Sequence, residues 1–186
     1  MPGIIISLYS TPVWYFGIGS YIALAGLALI YIAFKTINAR CEEINKKPSF
    51  RGSYKNKRCL IPATGFFEWD KSTKTKVPYL FLRKDRKIFS FAGLFDRWID
   101  QNGREVITYT ILTTKANEVV GKIHDRMPVV LRREDEDVWA DNHEFDSTKL
   151  GNLFKPFPSE LMSSYQVGQE VNSPINNNPK LLEKAE

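Results

Sequence analysis

The sequence predicts an α+β fold built mainly on antiparallel β-sheet, an open barrel with short peripheral helices, preceded by an apolar N-terminal helix. Three observations carry this expectation. Segments dense in aromatic and β-branched residues recur at strand length: Tyr79-Leu-Phe-Leu82, Ile88-Phe-Ser-Phe91 and Val106-Ile-Thr-Tyr-Thr-Ile-Leu112. Asn102-Gly103, between the last two, is a hairpin signal. Helical spacing is confined to short stretches, such as Ala116, Val119, Val120 and Ile123.

The elements follow in order. Residues 1–34 contain no Asp, Glu, Lys or Arg, and 13–34 are almost wholly apolar. Crossing a bilayer takes about 20 such residues. Trp14, Tyr15 and Tyr31 suit an interfacial aromatic belt, and Lys35, Arg40, Lys46 and Lys47 follow only on the C-terminal side. A membrane-spanning helix over 13–34 is therefore expected, with the remainder facing the cytoplasm and nucleoid. A buried core helix and a segment that is not the domain's natural start are the other readings of this stretch. Residues 36–178 read as the folded domain and 179–186 as a polar tail.

Arg51 to Arg58 reads as a basic loop with turn formers, and Cys59-Leu-Ile-Pro62 as a short apolar step. Asp70 to Lys76 is Lys/Thr-rich without an apolar anchor and reads as an exposed hairpin loop. Thr113 or Thr114 can cap a short helix that ends at His124. Met127-Pro-Val-Val-Leu131 reads as a strand. Acidic residues 134–137, and Ser147, can each open a short helix. Residues 172–179 are polar and irregular, and no solenoid-length repeat is present.

Composition limits the chemistry. A chain of 186 residues suffices for one domain with a sizeable core, and its net charge of +5 with a pI near 9.1 fits a polyanionic partner without identifying one. Two cysteines, Cys41 and Cys59, make neither a disulfide framework nor a paired metal-ligand spacing. With only His124 and His143 besides, no metal and no cofactor are expected. A reducing cytosol is the simpler setting.

Three short stretches draw attention for their chemistry. Asn38-Ala-Arg40 places an amide beside a guanidinium after the apolar segment. Gly65-Phe-Phe-Glu68-Trp69 embeds a carboxylate among three aromatics, where burial favours proton transfer. His124-Asp-Arg126 sets an imidazole beside a cation at a helix-to-strand junction. Taken singly, each has an ordinary alternative: a turn cap for Asn38, a lysine-paired strand edge for Glu68 and a helix C-cap for His124.

Taken together, these and further stretches resemble the SRAP family, the abasic-site processing proteins. The resemblance rests on Thr36-Ile-Asn38-Ala-Arg40, Pro48-Ser-Phe50-Arg51, Arg58-Cys-Leu-Ile-Pro62-Ala, Gly65-Phe-Phe-Glu68-Trp69, Thr113-Thr114 through Ala116-Asn117, Ile123-His124 to Arg126-Met127-Pro128, and Val171-Asn-Ser-Pro174. They occur in the family's order and with its approximate spacings. The resemblance implies a DNA-damage and SOS-response role: a monomer that binds single-stranded DNA and crosslinks covalently to abasic sites, with self-peptidase and lyase-like activity. It implies catalytic roles for Asn38, Glu68 and His124. It also implies phosphate contacts from Arg40, Arg51 and Arg126, with Phe50 as a stacking face and Trp69 as core.

The family's nucleophile is an N-terminal cysteine in Met-Cys-Gly-Arg-Phe, whereas this sequence begins Met1-Pro2-Gly3-Ile4-Ile5. Cys41 has no free amine with which to close a thiazolidine, and Pro2 would offer an amine without a thiol. Two expectations therefore stand side by side. One is a crosslinking enzyme of the SRAP type, and the other is a non-catalytic remnant that at most binds single-stranded DNA.

Overall fold

The computed structural model describes residues 37–70, 72 and 75–185 of the chain. The expected apolar helix over 13–34, with its membrane role, lies outside the described residues. Among those described, no helix is long and apolar enough to cross a membrane.

Among the described residues, eight strands form two open sheets rather than a barrel. The larger contains β1 (Asn38–Arg40), β6 (Glu105–Lys115), β5 (Phe89–Ile99) and β2 (Arg58–Ala63) in that order, with β7 (Arg126–Pro128) also paired to β6. The smaller runs β3 (Phe66–Asp70), β4 (Val77–Arg83) and β8 (Met162–Gln166), all antiparallel. Among the described residues, parallel pairing is confined to β1 on β6, with Asn38 opposite Ile111 and Arg40 opposite Thr113. The remaining ladders are antiparallel, in line with the sequence expectation.

The β5–β6 hairpin turns at Asn102-Gly103, where Gly103 has φ of 75°, a conformation that favours glycine. At the far end β5 and β6 part after Gly93 and Ile111, and the segment from Arg126 to Leu131 wedges between them. Val129 donates its N–H to Leu112 O at 2.8 Å, Ala92 donates to Val129 O at 2.9 Å, and Leu131 donates to Ser90 O at 2.9 Å. This wedge fixes β7 and the residues before it against the C-terminal half of β6.

Side chains alternate across a strand, so register separates the core into layers. Ala39, Leu60, Ala92, Leu94 and Leu112 face one side of the large sheet, where Phe50 and Tyr54 of α1 (Pro48–Asn56) and Trp139 of α2 (Arg133–Ala140) cover them. Ile61, Phe89, Phe91 and Ile111 face the other side and meet Phe66 and Phe81 of the small sheet. Phe67, Trp69 and Leu80 point outward from the small sheet and pack on Val167 and Val171. Each fully buried aromatic contributes about 2 kcal/mol of transfer free energy. Gly93 is required by this packing: a Cβ there would lie 2.5 Å from Ile61 Cδ1.

Several local expectations are corrected. Arg51–Arg58 is not a loop. Pro48 supplies a preset φ at the first helical turn, and Phe50 and Tyr54 are one turn apart on a buried face, so tertiary burial outweighs Gly52, Ser53 and Asn56. Thr113 and Thr114 do not cap a helix, because β6 runs on to Lys115 and is held there by β7. The turn that follows is a short 3-10 helix, Val120–Lys122. Ser147 is the first residue of α3 (Ser147–Gly151), and the cap is Asp146, whose carboxylate accepts from Thr148 and Lys149 N–H. Strand β8 had no signal, since Met162-Ser-Ser-Tyr-Gln166 alternates only weakly. Downstream, Leu181 and Leu182 pack against the outer layer of the small sheet.

Candidate functional site

Asn38, Arg40 and the segment from His124 to Arg126 flank the C-terminal half of β6. Asn38 lies opposite Ile111, so its side chain is on the face shared with the inter-sheet core. Its Oδ1 is buried and has no hydrogen-bond partner among the described residues. An unpaired buried acceptor costs about 1–3 kcal/mol, which a ligand donor would offset. Arg40, two residues on, shares that face and is exposed.

His124 follows the 3-10 turn, whose Val120 and Ile123 pack into the same inter-sheet core. Its Nδ1 lies 3.2 Å from both the backbone N and the carbonyl O of Arg126. With Nδ1 accepting from the Arg126 amide, the ring proton of the neutral form is on Nε2, away from the backbone.

Glu68 enters from the small sheet. It is opposite Tyr79, which packs on the inter-sheet core, and on the same side of β3 as the buried Phe66. Its side chain is almost wholly buried, at 3% exposure. Asn38, Glu68 and the segment that ends at His124 thus border one hydrophobic cluster. Gly65 sets the approach of β3, since a Cβ there would lie 2.7 Å from Phe81 O.

Arg126 is not a free cation. Nη1 donates to Glu42 Oε1 at 2.8 Å, and Nη2 donates to Glu42 Oε2 at 2.9 Å and to the Thr113 carbonyl at 2.5 Å. Hydrogen bonding from Arg126, the largest influence, pulls the Glu42 carboxyl down to about 2. Glu42 carried no signal in the sequence analysis. The pattern Arg40-Cys-Glu42 places it one 3-10 turn after β1, but nothing in spacing alone pairs it with a residue 84 positions away.

Phe50 and Arg51 fall elsewhere. Phe50 is buried under α1, and Arg51 is on that helix's exposed side, four residues from both Lys47 and Lys55. Phe50 also lines a groove of about 310 Å³ with Ile37, Ser53, Leu94 and Tyr109. That groove opens on the helix side of the large sheet, and its lining includes none of Asn38, Glu68 and His124. Trp69 is core, with Nε1 donating to Asn172 Oδ1 at 2.6 Å.

Both thiols are poor nucleophiles where they stand. Burial pushes Cys59 up to about 11 and raises Cys41 as well. Among the described residues, no group of three or more His, Cys, Asp or Glu side chains is arranged to hold a metal ion.

The family model for SOS response associated peptidase (SRAP) matches residues 23–174, starting inside the apolar run. The abasic site processing protein YoqW of Bacillus subtilis is 45% identical over 153 residues, which cover 82% of this chain and 68% of that protein. The abasic site processing protein HMCES of Gallus gallus is 32% identical over 170 residues, covering 80% of this chain and 50% of that one. A crystal structure of a protein from Bacteroides thetaiotaomicron superposes with a TM-score of 0.80 at 36% identity, covering 86% of this chain and 70% of that one. By the extent of the family match and by these identities, the chain belongs to the SRAP family of abasic site processing proteins.

Proposed function

We propose that this chain processes abasic sites in single-stranded DNA, with Asn38, Glu68 and His124 walling the pocket for the lesion. One observation carries the reading beyond the family relationship. A buried Asn38 Oδ1 without a partner among the described residues faces the inter-sheet core that Glu68 and the segment ending at His124 also border. A ring-opened sugar, rich in hydroxyls, supplies the donor that this acceptor lacks. Exposed Arg40 and Arg51 attract the phosphodiester backbone.

In the covalent form of this function, an α-amine attacks the sugar aldehyde carbon, water leaves, and a thiolate adds to the resulting iminium to close a thiazolidine. Glu68 moves protons at the amine, and His124 moves the proton that opens the sugar ring. The raised thiols of Cys41 and Cys59 do not suit the thiolate step. That observation favours a second reading, in which this chain recognises the lesion without crosslinking to it.

The two readings separate in one assay: purified protein with single-stranded DNA carrying one abasic site, resolved on a denaturing gel. A heat-stable shifted band that disappears in Glu68→Gln or His124→Ala supports the crosslinking reading. No band, together with salt-sensitive binding that prefers the abasic strand, supports recognition alone. Binding without any such preference sinks both.

A further inference from the structure

The clamp on Arg126 differs from an ordinary surface ion pair. Its side chain is only 15% exposed, against 45% for Glu42. The two Nη groups meet both carboxylate oxygens, a bidentate geometry that fixes the plane of the guanidinium. Thr113, which gives the third contact, lies in β6 with Arg40 opposite on one edge and Pro128 on the other. Glu42 itself sits on the turn that directly follows β1. One carboxylate therefore ties the strand bearing Asn38 and Arg40 to the strand that follows His124.

The clamp leaves one donor over. Arg126 Nε is buried and has no acceptor among the described residues. Arg58, which only holds the fold, has a carbonyl partner for every guanidinium nitrogen. We infer that Glu42 is a positioning residue of the abasic-site pocket: it fixes the Arg126 fork so that Nε–H faces a ligand acceptor, and it cancels the charge that would otherwise gather DNA phosphate indiscriminately. This rests on the functional reading above and adds to it a source of lesion selectivity. The ionised state of Glu42 persists throughout the neutral range, so the clamp does not open with ordinary changes of pH.

The test uses the full chain and two probes, an intact single strand and the same strand with one stable tetrahydrofuran abasic analogue, over a series of salt concentrations. In Glu42→Gln the freed cation should tighten binding to the intact strand and steepen the log–log salt slope by about 0.7, the increment for one more phosphate neutralised on a single strand. Preference for the abasic strand should fall about fivefold, as for the loss of a charge-assisted hydrogen-bond geometry. Glu42→Asp keeps the charge and should restore the wild-type slope while recovering only part of the preference. A Glu42→Gln protein with native melting and unchanged slope and preference overturns the assignment alone. A wild type that binds neither strand overturns the functional reading and this assignment with it.

Discussion

Two arginines show how one side chain meets two fates in this fold. Arg58, at the start of β2, is 2% exposed, and each of its guanidinium nitrogens has carbonyl partners. Nε donates to Trp139 O at 2.9 Å, Nη1 to Tyr54 O at 3.0 Å and Lys55 O at 2.6 Å, and Nη2 to Asp141 O and Glu144 O. No carboxylate is among these partners. Burial lowers its pKa, the carbonyl dipoles stand in for water, and the side chain joins α1, α2 and the loop before α3. Arg126 is charge-paired instead, partly exposed, and its buried Nε has no acceptor among the described residues. A guanidinium with every donor consumed is a staple. One with a buried donor that lacks an acceptor among the described residues is available to a ligand.

The largest effect that would sharpen this contrast is at Arg58. Arg58→Met should cost about 3 kcal/mol or more, because several inward-facing carbonyls lose their donor at once. Thermal melting of the purified variant checks it, and a loss below about 1 kcal/mol would remove the staple reading. Trp139→Ala, at the same corner, should cost about 3–5 kcal/mol through the cavity it leaves.

Gly65→Ala comes next. The added Cβ collides with the Phe81 carbonyl, so β3 must shift, at about 1–3 kcal/mol. Since β3 carries Glu68, abasic-strand recognition should suffer beyond the stability loss. Normal recognition at a temperature well below the melting point would show that the site tolerates displacement of β3.

Arg126→Gln should leave the fold within about 1 kcal/mol of wild type, since Glu42 rehydrates readily. Its abasic preference should nonetheless collapse, the reverse of the Arg58 pattern. The same variant exposes the pH dependence. Glu42 has its carboxyl lowered from an ordinary 4.5 to about 2, so the pair adds stability above pH 4.5 and loses it as pH falls toward 2. The stability gap between wild type and Arg126→Gln should therefore narrow across that window, as urea titrations at stepped pH would show. A gap that is flat from neutral to acid would mean the pair contributes nothing.

The smallest effects belong to the exposed cations. Arg40→Ala and Arg51→Ala should each change stability by less than about 0.5 kcal/mol. Each should also reduce the salt slope of single-strand binding by about 0.7 if it holds a phosphate. A variant whose slope is unchanged takes that arginine out of the DNA path.

Legibility in the sequence followed the range of the interaction. The strands at Tyr79–Leu82 and Val106–Leu112 were readable because β-branched and aromatic side chains advertise a pleated, half-buried surface locally. The Asn102-Gly103 turn was readable because a positive φ selects its residue. Helix α1 was not, because Gly52 and Ser53 argue locally for a turn, while the burial of Phe50 and Tyr54 that overrides them is tertiary. Strand β8 was not, because its partner β4 supplies the order that its own serines do not.

The sequence by itself determined the family and the α+β class, and it singled out Asn38, Glu68 and His124 as candidates. Those conclusions depend on residue types in a fixed order, which a linear string records in full. Only the tertiary structure decided that Phe50 turns inward, that Arg51 lies on another face from His124, and that Arg126 answers to Glu42. Each of these is set by β-register and by contacts tens of residues apart. A charge on a string has no partner until the chain closes the distance.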